Sequence, residues 1–301
     1  MASTAGDVVL AYLARQVAEV RRLAPGAAAG RAEDIHQMRV AVRRLRSVLG
    51  SCRPLFDGGA VDPLRDGLRW LSRVLGAARD PGVVRDRLLE AAAREPEALR
   101  WAVDPAAALI GTRLDADTAA GLAAAADALT GTRYERLLVA IDTFLAVPPL
   151  APAAAAPARR VHRAVRRDST RLVRTAAALA EANGGAEHDV ALHTVRKAAK
   201  RLRYSSELVH EAVPDGPARR LKHARRTAKG ARTIQQVLGL HQDSVMVQAV
   251  LVELARESDP GAGAGSAVGF GLGRLHAAED VRAAAAEKKF HKSWRRLRRK
   301  L

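Results

Sequence analysis

Two segments of this chain place a histidine and a row of cations at helical spacing. The string HQMRVAVRRLR spans residues 36–46, and HTVRKAAKRLR spans residues 193–203, aligned without a gap. At about 100° per residue, His36, Arg39, Arg43 and Arg46 fall on one stripe. Met38, Val42, Leu45 and Leu49 fall on another, which is the face a helix would turn to a core. The second segment repeats the division. His193, Arg196, Lys200 and Arg203 share the basic stripe, and Val195, Ala198, Ala199 and Leu202 share the apolar one. Arg44 and Arg201 flank the cations, with Lys197 between the stripe and its edge.

Like charges three and four residues apart repel by about a few tenths of a kcal/mol per pair. A helix that carries several such pairs gains something from an anion. Arginine donates two parallel hydrogen bonds to a phosphate or carboxylate, and the stripe runs about 15 Å along its helix. The expected ligand therefore presents anionic groups in a row. A histidine among cations is expected to be neutral near pH 7 and to become protonated when phosphate arrives. The competing reading, a solvated charged face, describes most single basic helices. It explains less well why the whole string occurs twice.

Other matches follow in the same order. VLGAARD at 74–80 pairs with VLGLHQD at 237–243, and Tyr134 with Leu138 pairs with Phe290 with Trp294. Three ordered matches point to an internal duplication. The spacing that relates Gly76 to Gly239 also aligns Arg69 with Arg232, so both are candidate supporting cations; Arg73 aligns only with Gln236. Further basic clusters lie at Arg159, Arg160, Arg163, Arg166 and Arg167, and at Lys222, Arg225, Arg226 and Lys229.

The elements that must position these residues are helices. Apolar residues recur at a period near 3.6, no segment alternates with period two, and Gly and Pro punctuate the chain. Helices are expected near 6–24, 33–52, 62–78, 82–101 (short pieces) and 117–146. In the second half they are expected near 159–182, 188–212, 217–240, 243–257 and 265–300. Each half amounts to a bundle of about four principal helices. The halves are residues 1–146 and 159–301, joined at 147–158 by a Pro/Ala linker that prolines hold out of helix.

Composition agrees. The 301 residues are 48% hydrophobic but only 3% aromatic, which favours small-residue helix packing over a β-sandwich. Fifty Lys and Arg against 32 Asp and Glu give a formal net charge of +18. That excess repels itself unless a polyanion is nearby, and does not choose among nucleic acid, an anionic membrane surface and polyphosphate. Cys52 is the single cysteine, so no intrachain disulfide forms, consistent with a reducing cytoplasm. The first residues lack a signal-peptide pattern, and no apolar run is long enough to span a membrane.

Several signals point away from catalysis. The Gly-rich stretch Gly261–Gly265 has no preceding strand and no Gly-Lys-Ser/Thr ending, and reads as an inter-helix loop. Asp80 and Asp243 suit helix capping or pairing with a nearby arginine. The histidines show no HExxH or similar metal spacing, and no GxSxG nucleophile elbow exists. No catalytic residue, metal site or cofactor is expected. In the C-terminal run, Phe290, Trp294, Leu297 and Leu301 form an apolar stripe, so a packed last helix with a basic outer face is expected.

The paired His-x-x-Arg…Arg-Leu-Arg helices, each followed by a Leu-Gly-x-x-x-Asp element, resemble the CHAD (conserved histidine α-helical domain) family over roughly residues 5–300. The resemblance implies an all-α fold of two pseudo-symmetric four-helix bundles around a basic central cavity. It also implies a non-enzymatic protein that binds inorganic polyphosphate, located in the cytoplasm at polyphosphate granules, with other granule proteins as further partners. The family's basic positions carry over to His36, Arg39, Arg43, Arg44 and Arg46, and to His193, Arg196, Lys197, Lys200, Arg201 and Arg203. Val40 departs from the pattern where the second half has Lys197, which predicts slightly weaker binding by the first half. A nucleic-acid binder is the main alternative, disfavoured by the scarcity of aromatic stacking platforms; a polyphosphate-processing enzyme is the third.

Overall fold

In the computed structural model, residues 3–182, 185–212, 218–258 and 264–301 are described, and among them no strand is formed. The first half contains α1 (Ala5–Ala28), α2 (Ala32–Ser51), α3 (Gly58–Ala77), α4 (Asp80–Ala93), α5 (Arg100–Thr130) and α6 (Thr132–Ala146). The second contains α7 (His162–Ala178), α8 (Gly185–Ala212), α9 (Ala218–Glu257) and α10 (Ala264–Arg298). Of the Gly-rich stretch expected as a loop, Ala264 and Gly265 already belong to α10, and residues 261–263 lie outside the described residues.

The apolar stripes read from the sequence are the buried ones. Met38 and Val42 are fully buried on α2, as are Val195, Ala199 and Leu202 on α8. Burying one such large aliphatic side chain contributes about 1.5–3 kcal/mol before entropy is counted. One core joins α1, α2, α3 and α6 to α7, α8, the first part of α9 and the end of α10, so it runs across both halves. A second core lies between α4, the start of α5, the end of α9 and the start of α10. There Arg87 of α4 donates to Ser244 of α9 at 2.7 Å and pairs with the buried Glu279 of α10. The halves are thus knitted together by packing that a half-by-half reading does not anticipate.

Three helix boundaries differ from expectation. Helix α5 begins at Arg100 and continues through residues 102–116, where a gap between two helices was expected. The first half has α5 and α6, divided at Gly131, where one helix near 117–146 was expected. The second half has a single α9 where a break near 240–243 was expected. Proline explains the asymmetry in α9. In the first half, Pro81 follows Asp80, lacks the N–H a continuing helix needs, and sits in the first turn of the new helix α4. The aligned residue in α9 is Ser244, which imposes no stop. Gly239 and Asp243 therefore lie mid-helix, whereas Gly76 ends α3 and Asp80 starts α4.

The Pro/Ala segment is not a free tether. Its backbone pairs with the start of α1 and with the α2–α3 connection: Ala5 donates to Ala156 at 2.7 Å, Asp57 to Pro149 at 2.8 Å, and Ala151 to Leu55 at 3.0 Å. Ala154 is buried against Gly6, where an added Cβ would lie 3.1 Å from the Ala154 methyl. The apolar stripe of the last helix packs inward, with Phe290 and Leu297 buried. Among the described residues, no helix is long and apolar enough to cross a membrane.

Candidate anion-binding site

Helices α2 and α8 pack against each other, and their basic stripes face one another closely enough to interact. The centre is Lys200. Burial lowers its ammonium pKa to about 7, reinforced by the charges of Arg196, Arg43, Arg46 and Arg39. Three of those four arginines come from α2. The stripes are therefore not on opposite surfaces of the molecule.

The first arginine of each stripe lies beside the aligned glycine and aspartate, but among the described residues only Arg39 makes an ion pair with its aspartate. Arg39 donates to both carboxylate oxygens of Asp80, at 2.5 and 3.2 Å, and lies 3.9 Å from where a Cβ on Gly76 would be. Arg196 lies 3.6 Å from the corresponding point on Gly239, and Asp243 is its strongest electrostatic partner. This gives both Leu-Gly-x-x-x-Asp elements one physical reading. The glycine leaves room for a guanidinium, and the aspartate four residues later offsets its charge, through a direct ion pair in the case of Asp80. Asp243 does not cap a helix, and burial raises its pKa against the pull of Arg196.

Both motif histidines sit at the edge of this cluster. Burial lowers the His36 pKa, helped by Arg79, Arg43 and Arg39 and opposed by Glu33. Burial likewise lowers His193, helped by Lys197, Arg196 and Lys200, while a hydrogen bond with Gln242 opposes it. The residues that approach them, Arg79 and Gln242, are aligned in the sequence, one place before each aspartate. Sequence reasoning missed both, although the alignment contained the signal. The Nδ1 of His193 and the Nε of Arg196 are buried and, among the described residues, have no hydrogen-bond partner. Buried polar atoms without partners cost free energy.

The far ends of the stripes differ. Arg46 donates to Ser72 at 3.2 Å, and burial together with Arg69 and Arg65 lowers its pKa. In the second half, Glu207 accepts from Arg203 at 2.7 Å and from Arg232 at 3.0 Å. The aligned position in α2 is Gly50, so no carboxylate stands there. Arg69 makes an exposed ion pair with Asp66 at 3.1 Å. Val40 removes one cation from the first stripe, and at this end each half sets one carboxylate among its arginines, Asp66 in the first and Glu207 in the second. Lys197, opposite Val40, is exposed.

Arg44 and Arg201 sit apart from the facing stripes. Arg201 pairs with the buried Asp168 of α7 at 2.8 Å, donates to Ser51 Oγ at 3.2 Å and bonds the Gly50 carbonyl. Ser51 Oγ in turn donates to Asp168 at 2.6 Å, and Arg167 donates to the Ser51 carbonyl at 2.8 Å. This network ties the end of α2 to α7 and α8. Among the described residues the buried Arg44 Nε has no hydrogen-bond partner, and it lies near the buried Tyr12 phenol, whose pKa burial raises and Arg44 lowers. Asp168→Ala would leave Arg201 and Ser51 short of their acceptor, and is expected to cost about 3 kcal/mol of stability in urea denaturation.

A family model for the CHAD domain matches residues 11–252. This chain belongs to the CHAD domain family. Its solved relatives share the architecture: the CHAD domain from the plant Ricinus communis superposes with a TM-score of 0.67 at 26% identity, covering 96% of this chain and 92% of that one. PptA from Streptomyces chartreusis gives a TM-score of 0.79 over 97% of this chain and all of that one; at 24% identity it supports the fold alone. Two uncharacterized proteins of Mycobacterium tuberculosis, MT2285 from strain CDC 1551 / Oshkosh and Rv2226 from strain ATCC 25618 / H37Rv, are each 34% identical over 224 residues. The match covers 74% of this CHAD chain but spans only 40% of the length of each relative.

Proposed function

We propose that this CHAD domain binds inorganic polyphosphate between α2 and α8, in a basic central cavity to which residues 1–146 and 159–301 each contribute one stripe. The observation that carries the reading is the placement of Lys200 among Arg39, Arg43, Arg46 and Arg196. Of that group, Arg39 and Arg196 have an aspartate beside them, and Asp66 acts on Arg46. Like charges gathered in a poorly solvated place oppose folding, and a row of phosphates would offset that repulsion. Arg43, Lys200, Arg46, His36 and His193 supply the contacts in this reading, Lys197 and Arg69 extend the path, and Arg203 and Arg232 contribute less because Glu207 engages them. Arg44 and Arg201 position the two helices.

The proposed role is binding, not turnover, with the protein in the cytoplasm on polyphosphate granules and their other proteins as neighbours. The test is competition at equal phosphate concentration. Long-chain polyphosphate is expected to displace labelled duplex or single-stranded DNA, with affinity that falls steeply as salt rises. DNA displacing polyphosphate would overturn the assignment in favour of nucleic acid. Release of inorganic phosphate on incubation with divalent cations would overturn the non-enzymatic part.

A further inference from the structure

The positive charge of this protein is not shared between its halves. Residues 1–158 carry 20 Lys and Arg against 18 Asp and Glu, whereas residues 159–301 carry 30 against 14. The paired stripes contribute similar numbers of cations from each half, so they do not account for the imbalance. The excess lies on α7, the first turns of α9 and the end of α10.

Part of it lines a cavity. Between α7 and the start of α9 is a pocket of about 710 Å³, with Arg166, Arg174, Arg219, Arg220, His162 and His223 in its wall. Ser169 and Thr170 add hydroxyls, and Val165, Val209 and Ala224 form a buried apolar floor. Among the described residues, no stripe residue and no Asp or Glu lines it, and Leu301 is part of its wall. Among the described residues, none of these four arginines forms an ion pair. Two acids of the neighbouring helices are engaged elsewhere: Asp168 with Arg201, and Glu207 with Arg203 and Arg232. Four guanidinium groups around a concave apolar floor focus a positive field, which an outward-facing charged surface does not do. Planar forks with adjacent hydroxyls match tetrahedral oxyanions.

We infer that the α7–α9 groove is a second phosphate-chain site, independent of the paired stripes, so that one molecule holds two segments of polyphosphate and can link separate chains. The inference rests on the polyphosphate reading of the stripes and extends it from a single-site binder to a cross-linking one. Linking needs two sites that can be filled at once, and it turns modest affinities into strong retention on a polymer.

The test uses the full chain, a stripe variant (Arg43→Glu with Lys200→Glu) and a groove variant (Arg166→Glu, Arg219→Glu and Arg220→Glu). The groove substitutions fall on exposed side chains, so the fold should survive, and circular dichroism checks that it does. Calorimetry with short-chain polyphosphate should give two chains per wild-type protein and one per molecule of either variant. With long-chain polyphosphate, light scattering from cross-linked assemblies should appear for the wild type and be lost in both variants. One chain per wild-type protein, abolished by the stripe variant, would overturn the groove and leave the stripes standing. One chain abolished only by the groove variant would overturn the stripes and leave the groove. No binding by the wild type would overturn both. If the groove variant instead loses binding to phosphatidylglycerol vesicles while keeping two polyphosphate chains, the groove is a membrane contact and the inference fails.

Discussion

Replacing Arg43 and Lys200 together with glutamate is expected to weaken polyphosphate binding in the stripe site by about 100-fold or more. Each charge-assisted hydrogen bond lost contributes about 1.5–3 kcal/mol, and about 1.4 kcal/mol is a factor of ten in affinity. The new carboxylates would also repel the ligand. The salt dependence should flatten by roughly 0.7 in slope for each phosphate contact removed. Stability should move the other way. Lys200 is crowded by four arginines, so a carboxylate there turns repulsion into attraction, and the ligand-free variant should melt at or above the wild-type temperature. Arg39 and Arg196 are poor choices for reversal. Glutamate in their places would face Asp80 or Asp243, and a loss of binding would not be separable from damage to the fold. Stripe-site affinity within threefold of wild type would show that the charge excess acts diffusely instead of through these stripes.

What the sequence made legible was local periodicity. The two basic helices, their core faces and the packed C-terminal stripe follow from spacing of apolar residues, and the structure has them where the pattern places them. Tertiary placement was less legible. Nothing in the spacing of Leu88, Val103, Leu251 and Leu272 says that α4, α5, α9 and α10 share a core, because each helix needs only some apolar neighbour. The continuity of α9 could have been read, since Ser244 replaces the proline that stops its counterpart. Arg201 shows where pattern matching misleads. Its position aligns with Arg44 and lies beside the cations, yet its partners Asp168 and Ser51 come from separate helices and have no sequence signature near it. The same holds for Glu207, which sets the charge of one end of the second stripe while its aligned residue, Gly50, carries none.

The second large effect is on pH. Free Lys200 titrates near 7, well below an ordinary lysine at 10.5. In the free protein near pH 8 it is mostly neutral, and a phosphate chain beside it favours the charged form. Binding in that range therefore takes up a proton. Affinity in the stripe site should fall as pH rises above 7, by up to about tenfold per unit until the pKa of the bound form is reached. Calorimetry in two buffers of different ionisation enthalpy measures the uptake directly. His36 and His193, both lowered from their ordinary value of 6.5, add dependence of the same sign at more acidic pH. Lys200→Arg stays charged throughout and should erase the alkaline limb while leaving the acidic one. The stability of the free protein gives an independent reading. A depressed lysine means that the unfolded chain holds more protons between pH 7 and 10.5. Its contribution to stability is thus complete above the unfolded pKa and is lost as pH falls through the folded one. Wild type should gain stability with pH across that window, and Lys200→Arg should not. A pH-independent affinity between 7 and 9, with no proton taken up, would mean that Lys200 does not meet the ligand.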